Sequence, residues 1–299
     1  MFDTTPTLDC AGRALKLDRP RVCGILNLTG DSFSGDGLRD DAKAAVGRGL
    51  EMVEEGADLL DVGAESTRPG AQPVSVEDEI ARVVPVIEAL VRETDVPVSI
   101  DTSKPEVMRA AVAAGAGLIN DVHALRREGA LDAAAALRVP VCLMHMQGEP
   151  RTMQDDPHYD DVVGEVHRFL AERVFACEMA GIDKRRVLVD PGFGFGKTLE
   201  HNLALLRALD RFRDLAAGVF VGLSRKSMLG AITGRDSRCR VHASAAAALI
   251  AVQRGAMIVR VHDIAATRDA LAMWQAVHEG DAQARAAPQA FGSQRFDDD

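Results

Sequence analysis

The chain has 299 residues, 47% of them hydrophobic and 27% charged, which is enough to bury a large core as two ordinary domains or one α/β barrel. Its formal net charge of −10 repels phosphate backbones and anionic lipid, so nucleic acid and membrane are excluded as main partners, while a pocket of opposite local sign still admits a small anionic substrate. The start, MFDTTPTLDC, shows no basic segment followed by an apolar core, and the longest nearly apolar run, 243–252, is far too short to span a bilayer.

Residues 1–20 read as an N-terminal extension. From Arg21 onward, short β-rich runs alternate with amphipathic helical ones. The strand candidates are RVCGILNLT from Arg21, DLLDVGAES from Asp58, PVSIDTS from Pro97 and GLINDV from Gly117, followed by PVCLMHM from Pro140, RVLVDPG from Arg186, GVFVGLS from Gly218 and MIVRVHD from Met257. Each is a near-continuous apolar run, as expected of parallel strands covered on both faces. Between them lie patterns such as VEDEIARVVPVIEALVRE from Val76, with apolar residues three and four apart. Gly56, Gly115 and Gly255 each stand just before a strand, where a glycine takes the left-handed turn that ends a helix. Eight such units over residues 21–280 predict a single (β/α)8 TIM barrel, with a doubly wound open sheet as the alternative. Residues 281–299, ending FGSQRFDDD, lack periodicity and are expected to form a disordered tail. Five cysteines, Cys10, Cys23, Cys142, Cys177 and Cys239, with no CxxC pair, suggest neither a disulfide framework nor a zinc site, and point to a reducing cytoplasm.

The polar residues gather at the C-terminal ends of the strands, where barrel enzymes build their sites. Asn27 closes the first run, and Asp61 lies in the second. Asp101 closes the third, Asn120 and Asp121 the fourth, His145 the fifth and Asp190 the sixth. Ser224, Arg225 and Lys226 follow the seventh, and Arg260 and His262 close the eighth. Taken singly, each has a structural explanation: Asp101 as a helix cap, Asp121 as a turn residue, His145 as a core imidazole. Taken together, a ring of ionisable groups implies a ligand or a dense network, because buried charges are costly without partners.

The stretch PGFGFGKT, from Pro191, is one residue short of a P-loop, whose first glycine is replaced by Pro191. It follows a barrel strand rather than one of an open sheet. We therefore read it as a loop whose small residues let a flat ligand approach, with Phe193 and Phe195 as an aromatic wall.

The blocks GILNLTGDSFS (24–34), DVGAESTRPGA (61–71), SIDTSKPEV (99–107), LINDV (118–122), MHMQGEPRTMQ (144–154), VDPGFGFGK (189–197), LSRKSMLG (223–230) and IVRVHD (258–263) resemble, in order, the bacterial dihydropteroate synthases of the pterin-binding barrel group. The chain departs from that pattern at Gly30, where the family usually has proline, and at Val241-His242-Ala243-Ser244-Ala245, where it usually has Gly-Ser-Leu. What the resemblance implies is a transferase of folate biosynthesis. In that reaction the amine of p-aminobenzoate displaces pyrophosphate from 6-hydroxymethyl-7,8-dihydropterin pyrophosphate, giving 7,8-dihydropteroate. It implies a pterin held by Asp101, Asn120, Asp190 and Lys226, and a pyrophosphate held by Arg260 and His262 with Thr67. It further implies Mg2+ at Asn27, and p-aminobenzoate bordered by Phe195, Arg68, Pro69 and Ser227. Asp101, Lys226 and Arg260 are then the catalytic residues. Two Gly/Ser/Pro-rich loops, 29–37 and 68–72, are expected to close over the substrates, and the partner implied is a second copy in a homodimer. A pterin-binding protein without turnover and a pterin-dependent methyltransferase remain alternatives; pyrophosphate release that requires p-aminobenzoate separates both from a synthase.

Overall fold

A computed structural model describes residues 6–28, 38–66, 72–148 and 152–278. Gly30, Thr67, Arg68 and Pro69, the expected loops apart from Gln72, and the expected tail therefore lie outside the described residues.

The eight apolar runs form eight parallel strands: β3 (Arg21–Asn27), β4 (Leu59–Gly63), β5 (Val98–Asp101), β6 (Leu118–Asp121), β7 (Val141–Met144), β8 (Val187–Asp190), β9 (Gly218–Val221) and β10 (Ala256–Val261). They close into a barrel in chain order, with β10 beside β3. The fold is a single (β/α)8 barrel. The surrounding helices are α1 (Leu38–Glu54), α2 (Val76–Glu93), α3 (Pro105–Ala113), α4 (Ala130–Leu137), α5 (Val162–Met179), α6 (Leu199–Arg207), α7 (Ser227–Thr233), α8 (Val241–Gln253) and α9 (Ile264–His278), so β9 is followed by two helices rather than one. The glycines that end helices before β4, β6 and β10 take left-handed φ values of 100°, 108° and 99° at Gly56, Gly115 and Gly255. No helix among the described residues is long and apolar enough to cross a membrane.

The main core lies between barrel and helices. It includes Val62, Ile100, Ile119, Leu143 and Val189 on the strands and Val83, Ile87 and Leu90 on α2. A second core fills the N-terminal end of the barrel. Residues 7–16 form an antiparallel hairpin, β1 (Thr7–Cys10) and β2 (Arg13–Lys16), which alternates exposed and buried side chains. Leu8, Cys10, Leu15 and Leu17 pack against Cys23, Leu59, Leu118, Cys142, Leu188, Phe220 and Ile258. Burying a large aliphatic side chain in this way is worth about 1.5–3 kcal/mol. The hairpin thus plugs the end of the barrel away from the site. It comes so close that a Cβ at Gly117 would lie 2.4 Å from the backbone of Cys10.

Candidate active site

The strand register sets the polar layer. Asp101 at the end of β5 stands beside Asn120 on β6, and Asp190 at the end of β8 stands beside Met144 on β7. One step deeper on β4, Asp61 is fully buried; its carboxylate accepts from Ser99 Oγ at 2.5 Å and Asn120 Nδ2 at 3.0 Å. Arg260 reaches across from β10. Its Nε donates to Asp61 at 2.5 Å and its Nη2 to Asp101 at 2.9 Å. Sequence reasoning placed Asp61 in a strand but gave it no role, and it proves to be the anchor for both Arg260 and Asn120. Because Asn120 donates to Asp61, its carbonyl oxygen stays available to a ligand N–H.

Burial pushes the carboxyl of Asp101 up to about 7 even though the Arg260 guanidinium opposes this; the negative charges of Asp61, Asp121 and Glu79 add to the rise. Burial also raises Asp190 to about 6, against the pull of the Gly192 amide and the cations of Lys226, Lys197 and Arg260. Burial lowers Lys226 to about 8. Its ammonium lies 4.1 Å from the centroid of Phe195, over the ring face. Phe195 also packs with Val122 against the buried Met144, Met146 and Met153, an apolar wall beside the polar layer. Phe193 is the other aromatic of the loop, but it belongs to the main core.

The glycine-rich loop is held by the protein itself. Lys197, almost fully buried, turns its ammonium onto the carbonyls of Gly192 and Phe195, each at 2.9 Å, and onto Nδ1 of His145 at 3.0 Å. In a P-loop the lysine reaches for phosphate; here its ammonium is spent on two loop carbonyls and on His145. Asn202 accepts from the Gly194 amide at 2.7 Å, Asp190 accepts from the Gly192 amide at 2.8 Å, and the Tyr159 hydroxyl donates to Gly196 O at 2.9 Å. The glycines are required by this packing and by positive φ. A Cβ on Gly192 (φ 70°) would fall 1.9 Å from the carbonyl oxygen of His145, and one on Gly196 would fall 2.4 Å from that of Gln147. The expectation that these small residues make room for a ligand is corrected at both positions: backbone takes the room.

The remaining candidates sort themselves by their partners. Asp121 accepts from Ser103 Oγ and from the amides of His123 and Leu125, so the turn role explains it. His145 sits edge-on to Phe169 at 4.8 Å, and burial together with the Lys197 charge pushes its imidazole down to about 2, so it is a neutral core residue. Ser224 Oγ lies 3.0 Å from His262 Nδ1, placing that ring beside the end of β9. Arg225 grips Asp263 with two hydrogen bonds of 3.1 and 2.6 Å, and its amide donates to Ser244 at 3.0 Å, so the departure around Val241–Ala245 keeps a working hydroxyl. Ser227 opens α7, directly after Lys226, and is exposed.

Asn27 ends β3, half-buried, and its amide has no hydrogen-bond partner among the described residues. No three His, Cys, Asp or Glu side chains converge to hold a metal ion among those residues. Among the described residues there is therefore no protein-only metal cage. A single amide oxygen does suit magnesium, which keeps several waters and takes further oxygens from substrate phosphates.

Comparison with known proteins now bears on what this mouth does. The family model for pterin binding enzymes matches residues 23–262. The dihydropteroate synthase of Escherichia coli K12 is 49% identical over 265 residues, covering 89% of this chain and 94% of that protein. The chain belongs to the dihydropteroate synthases. It is a transferase of folate biosynthesis, joining dihydropterin pyrophosphate to p-aminobenzoate. The Haemophilus influenzae synthase is 50% identical over 88% of this chain and 96% of its own length. The solved dihydropteroate synthase of Xanthomonas albilineans with 4-aminobenzoic acid is 63% identical over 93% of this chain and all of that one, with a TM-score of 0.88. A structure of the same organism's dihydropteroate synthase in complex with 7,8-dihydropteroate is 60% identical over 92% of this chain and all of that one, with a TM-score of 0.85.

Proposed function

We propose that the synthase reaction runs at this mouth with the following division of labour. The amino-pyrimidinone edge of the dihydropterin presents N–H donors to Asp190, to the free oxygen of Asn120 and to Asp101, while the Lys226 ammonium meets the ring's acceptor atoms. The apolar side formed by Phe195, Met144, Met146 and Val122 takes one ring face. Arg260 spends Nε and Nη2 on Asp61 and Asp101, which leaves Nη1 for the leaving pyrophosphate, with His262 and Thr67 beside it. Ser227, Phe195, Arg68 and Pro69 border p-aminobenzoate.

No protein nucleophile is required. The aromatic amine is neutral and nucleophilic at pH 7. Its nitrogen forms the new bond to the pterin methylene as the C–O bond to pyrophosphate breaks, and it then releases a proton to solvent. The electron-rich dihydropterin favours early C–O cleavage. Asp101 then steadies the positive charge that develops on the ring, and Arg260 and Lys226 steady the departing anion; one such preorganised contact is typically worth about 3–4 kcal/mol. When bound at Asn27, magnesium supplies neutralisation of the leaving pyrophosphate.

The single observation that carries this reading is the alternation of carboxylate, cation and amide around one barrel mouth: Asp61–Arg260–Asp101, Asn120, and Asp190 with Lys226. A site of this kind also suits sulfonamides, which share the aminobenzoate shape; a Yersinia pestis dihydropteroate synthase, 46% identical to this chain with a TM-score of 0.87, has been solved with a sulfonamide drug. The free, mostly buried cysteines fit a cytoplasmic enzyme. Exposed Ile250 on α8 and exposed Met273 and Val277 on α9 support a homodimer. The test is pyrophosphate release from dihydropterin pyrophosphate, measured with and without p-aminobenzoate and with and without Mg2+. Release that needs both supports the reading; release without p-aminobenzoate, or none at all, refutes it.

A further inference from the structure

The turn that delivers Lys226 to the site runs from the end of β9 into α7, and its backbone is strained. Arg225 takes a φ of 58°, in the left-handed region that a residue with a Cβ enters only at a cost. Such a conformation persists where neighbouring groups over-determine it. Here those groups come from outside the pocket. Asp263 holds the Arg225 guanidinium, and Ser244 on α8 accepts from its amide. The Arg225 carbonyl accepts from Arg240 Nη1 at 3.0 Å, and the same nitrogen donates to the carbonyl of Lys226 at 3.2 Å.

Arg240 is itself fixed in place. It stands just before α8, its Nε donates to the carbonyl of Arg235 at 2.8 Å, and its own carbonyl accepts from Ser244 Oγ at 2.7 Å. The cation thus spends its donors on three backbone carbonyls. Its path crosses α7 at Gly230, where a Cβ would overlap Nη2. Gly230 is a helical residue, and a glycine inside a helix is unfavourable by itself. Room for the Arg240 guanidinium accounts for it. Arg240 therefore grips the two carbonyls that flank the Lys226 amide, while the Lys226 ammonium reaches the other way, to Phe195.

We propose that Arg240 is a positioning residue for the synthase reaction: it fixes the Arg225–Lys226 turn so that the Lys226 ammonium meets the pterin. The inference rests on the reading of Lys226 as a pterin contact. Its consequence is a dependence of one residue on the other. Loss of Arg240 weakens the pterin only while Lys226 is present to be misplaced. A residue that served stability alone would weaken it with or without Lys226.

The test is a double-mutant cycle read by calorimetry with 6-hydroxymethylpterin, using the parent, Arg240→Ala, Lys226→Met and the double variant. Gly230→Ala is measured beside them; it keeps every hydrogen-bonding group and displaces the guanidinium. The expected result is an affinity about tenfold weaker in Arg240→Ala and about threefold or more weaker in Gly230→Ala. In the Lys226→Met background, Arg240→Ala should change affinity by less than about twofold. Unchanged affinity in Arg240→Ala, or losses that multiply in the double variant, overturns the proposal. Should Arg240→Ala fail to fold, unchanged affinity in Gly230→Ala overturns it alone. A parent that binds no pterin, or a Lys226→Met variant that binds it as tightly as the parent, overturns the functional reading of Lys226 and this inference with it.

Discussion

Replacing Asp190 by asparagine keeps the shape of the site and changes what it offers. Asp190 accepts from the Gly192 amide at 2.8 Å through Oδ1. The asparagine carbonyl can keep that bond, so the glycine-rich loop stays in place. The second carboxylate oxygen is then replaced by an NH2 group, which faces a pterin N–H with another donor. A lost charged hydrogen bond costs roughly 1.5–3 kcal/mol, so affinity for dihydropterin pyrophosphate should fall roughly ten- to hundredfold, as read by calorimetry at pH 8. Stability should move the other way or not at all. The folded-state carboxyl of Asp190 is raised to about 6. A raised carboxyl favours the folded state below its unfolded value, and that advantage is lost as pH rises through about 6. At pH 8 the parent therefore carries a buried charge that the variant does not, and the variant's melting temperature should equal or exceed the parent's. The same titration governs binding in the opposite direction: the parent's pterin affinity should climb as pH rises from 5 to 8, because the ionised carboxylate is the acceptor, and the variant should climb less. Unchanged affinity in Asp190→Asn would refute the reasoning, as would a loss of affinity matched by a loss of stability.

Arg260→Ala should destabilise the fold by roughly 3–5 kcal/mol in urea unfolding at neutral pH, because it strands the buried Asp61 and leaves Asp101 unpaired; it should also weaken pyrophosphate binding more than binding of 6-hydroxymethylpterin, and equal losses would contradict the anion role. Gly192→Ala should cost at least about 1–2 kcal/mol for a left-handed non-glycine backbone, with further loss from the clash at His145 O, visible as a lower melting temperature; parental stability would show that the loop is not held as described. Lys197→Met should speed amide hydrogen exchange over residues 192–196 by freeing two carbonyls from their donor, and unchanged exchange would remove Lys197 as the clamp.

The barrel was legible because each of its strands is a compact apolar run with a helix-ending glycine or a polar end to mark its limits. The hairpin at residues 7–16 was not read. Its strands are four residues each, and it turns through Ala11-Gly12, with φ of 54° and 86°, rather than through an Asn-Gly signal. The alternation of Leu8 and Cys10 with Leu15 and Leu17 was the available clue. Within the site, Asp101, Asn120, Asp190, Lys226 and Arg260 were legible as polar strand ends. The role of Asp61 was not, because its partner Arg260 lies 199 residues away and only barrel closure brings them together. The inward turn of Lys197 was hidden for a related reason: its acceptors are loop carbonyls, which carry no residue signature. Glu65, Glu79 and Lys104 look like ordinary surface charges in a sequence, and only the packing of α2 against the ends of β4 and β5 reveals that Glu79 and Lys104 are buried together, with the half-buried Glu65 on the same ammonium.

The central claim is that one barrel mouth reads the pterin edge with Asp190, Asn120 and Asp101 and directs the pyrophosphate toward Arg260. A crystal structure of the chain with dihydropterin pyrophosphate tests it most directly. The account predicts pterin nitrogens within about 3.2 Å of Asp190 and Asn120, the ring beside Phe195, and phosphate oxygens within the same distance of Arg260. A pterin bound with its N–H edge turned away from these residues, or a pyrophosphate pointing away from Arg260, would contradict it.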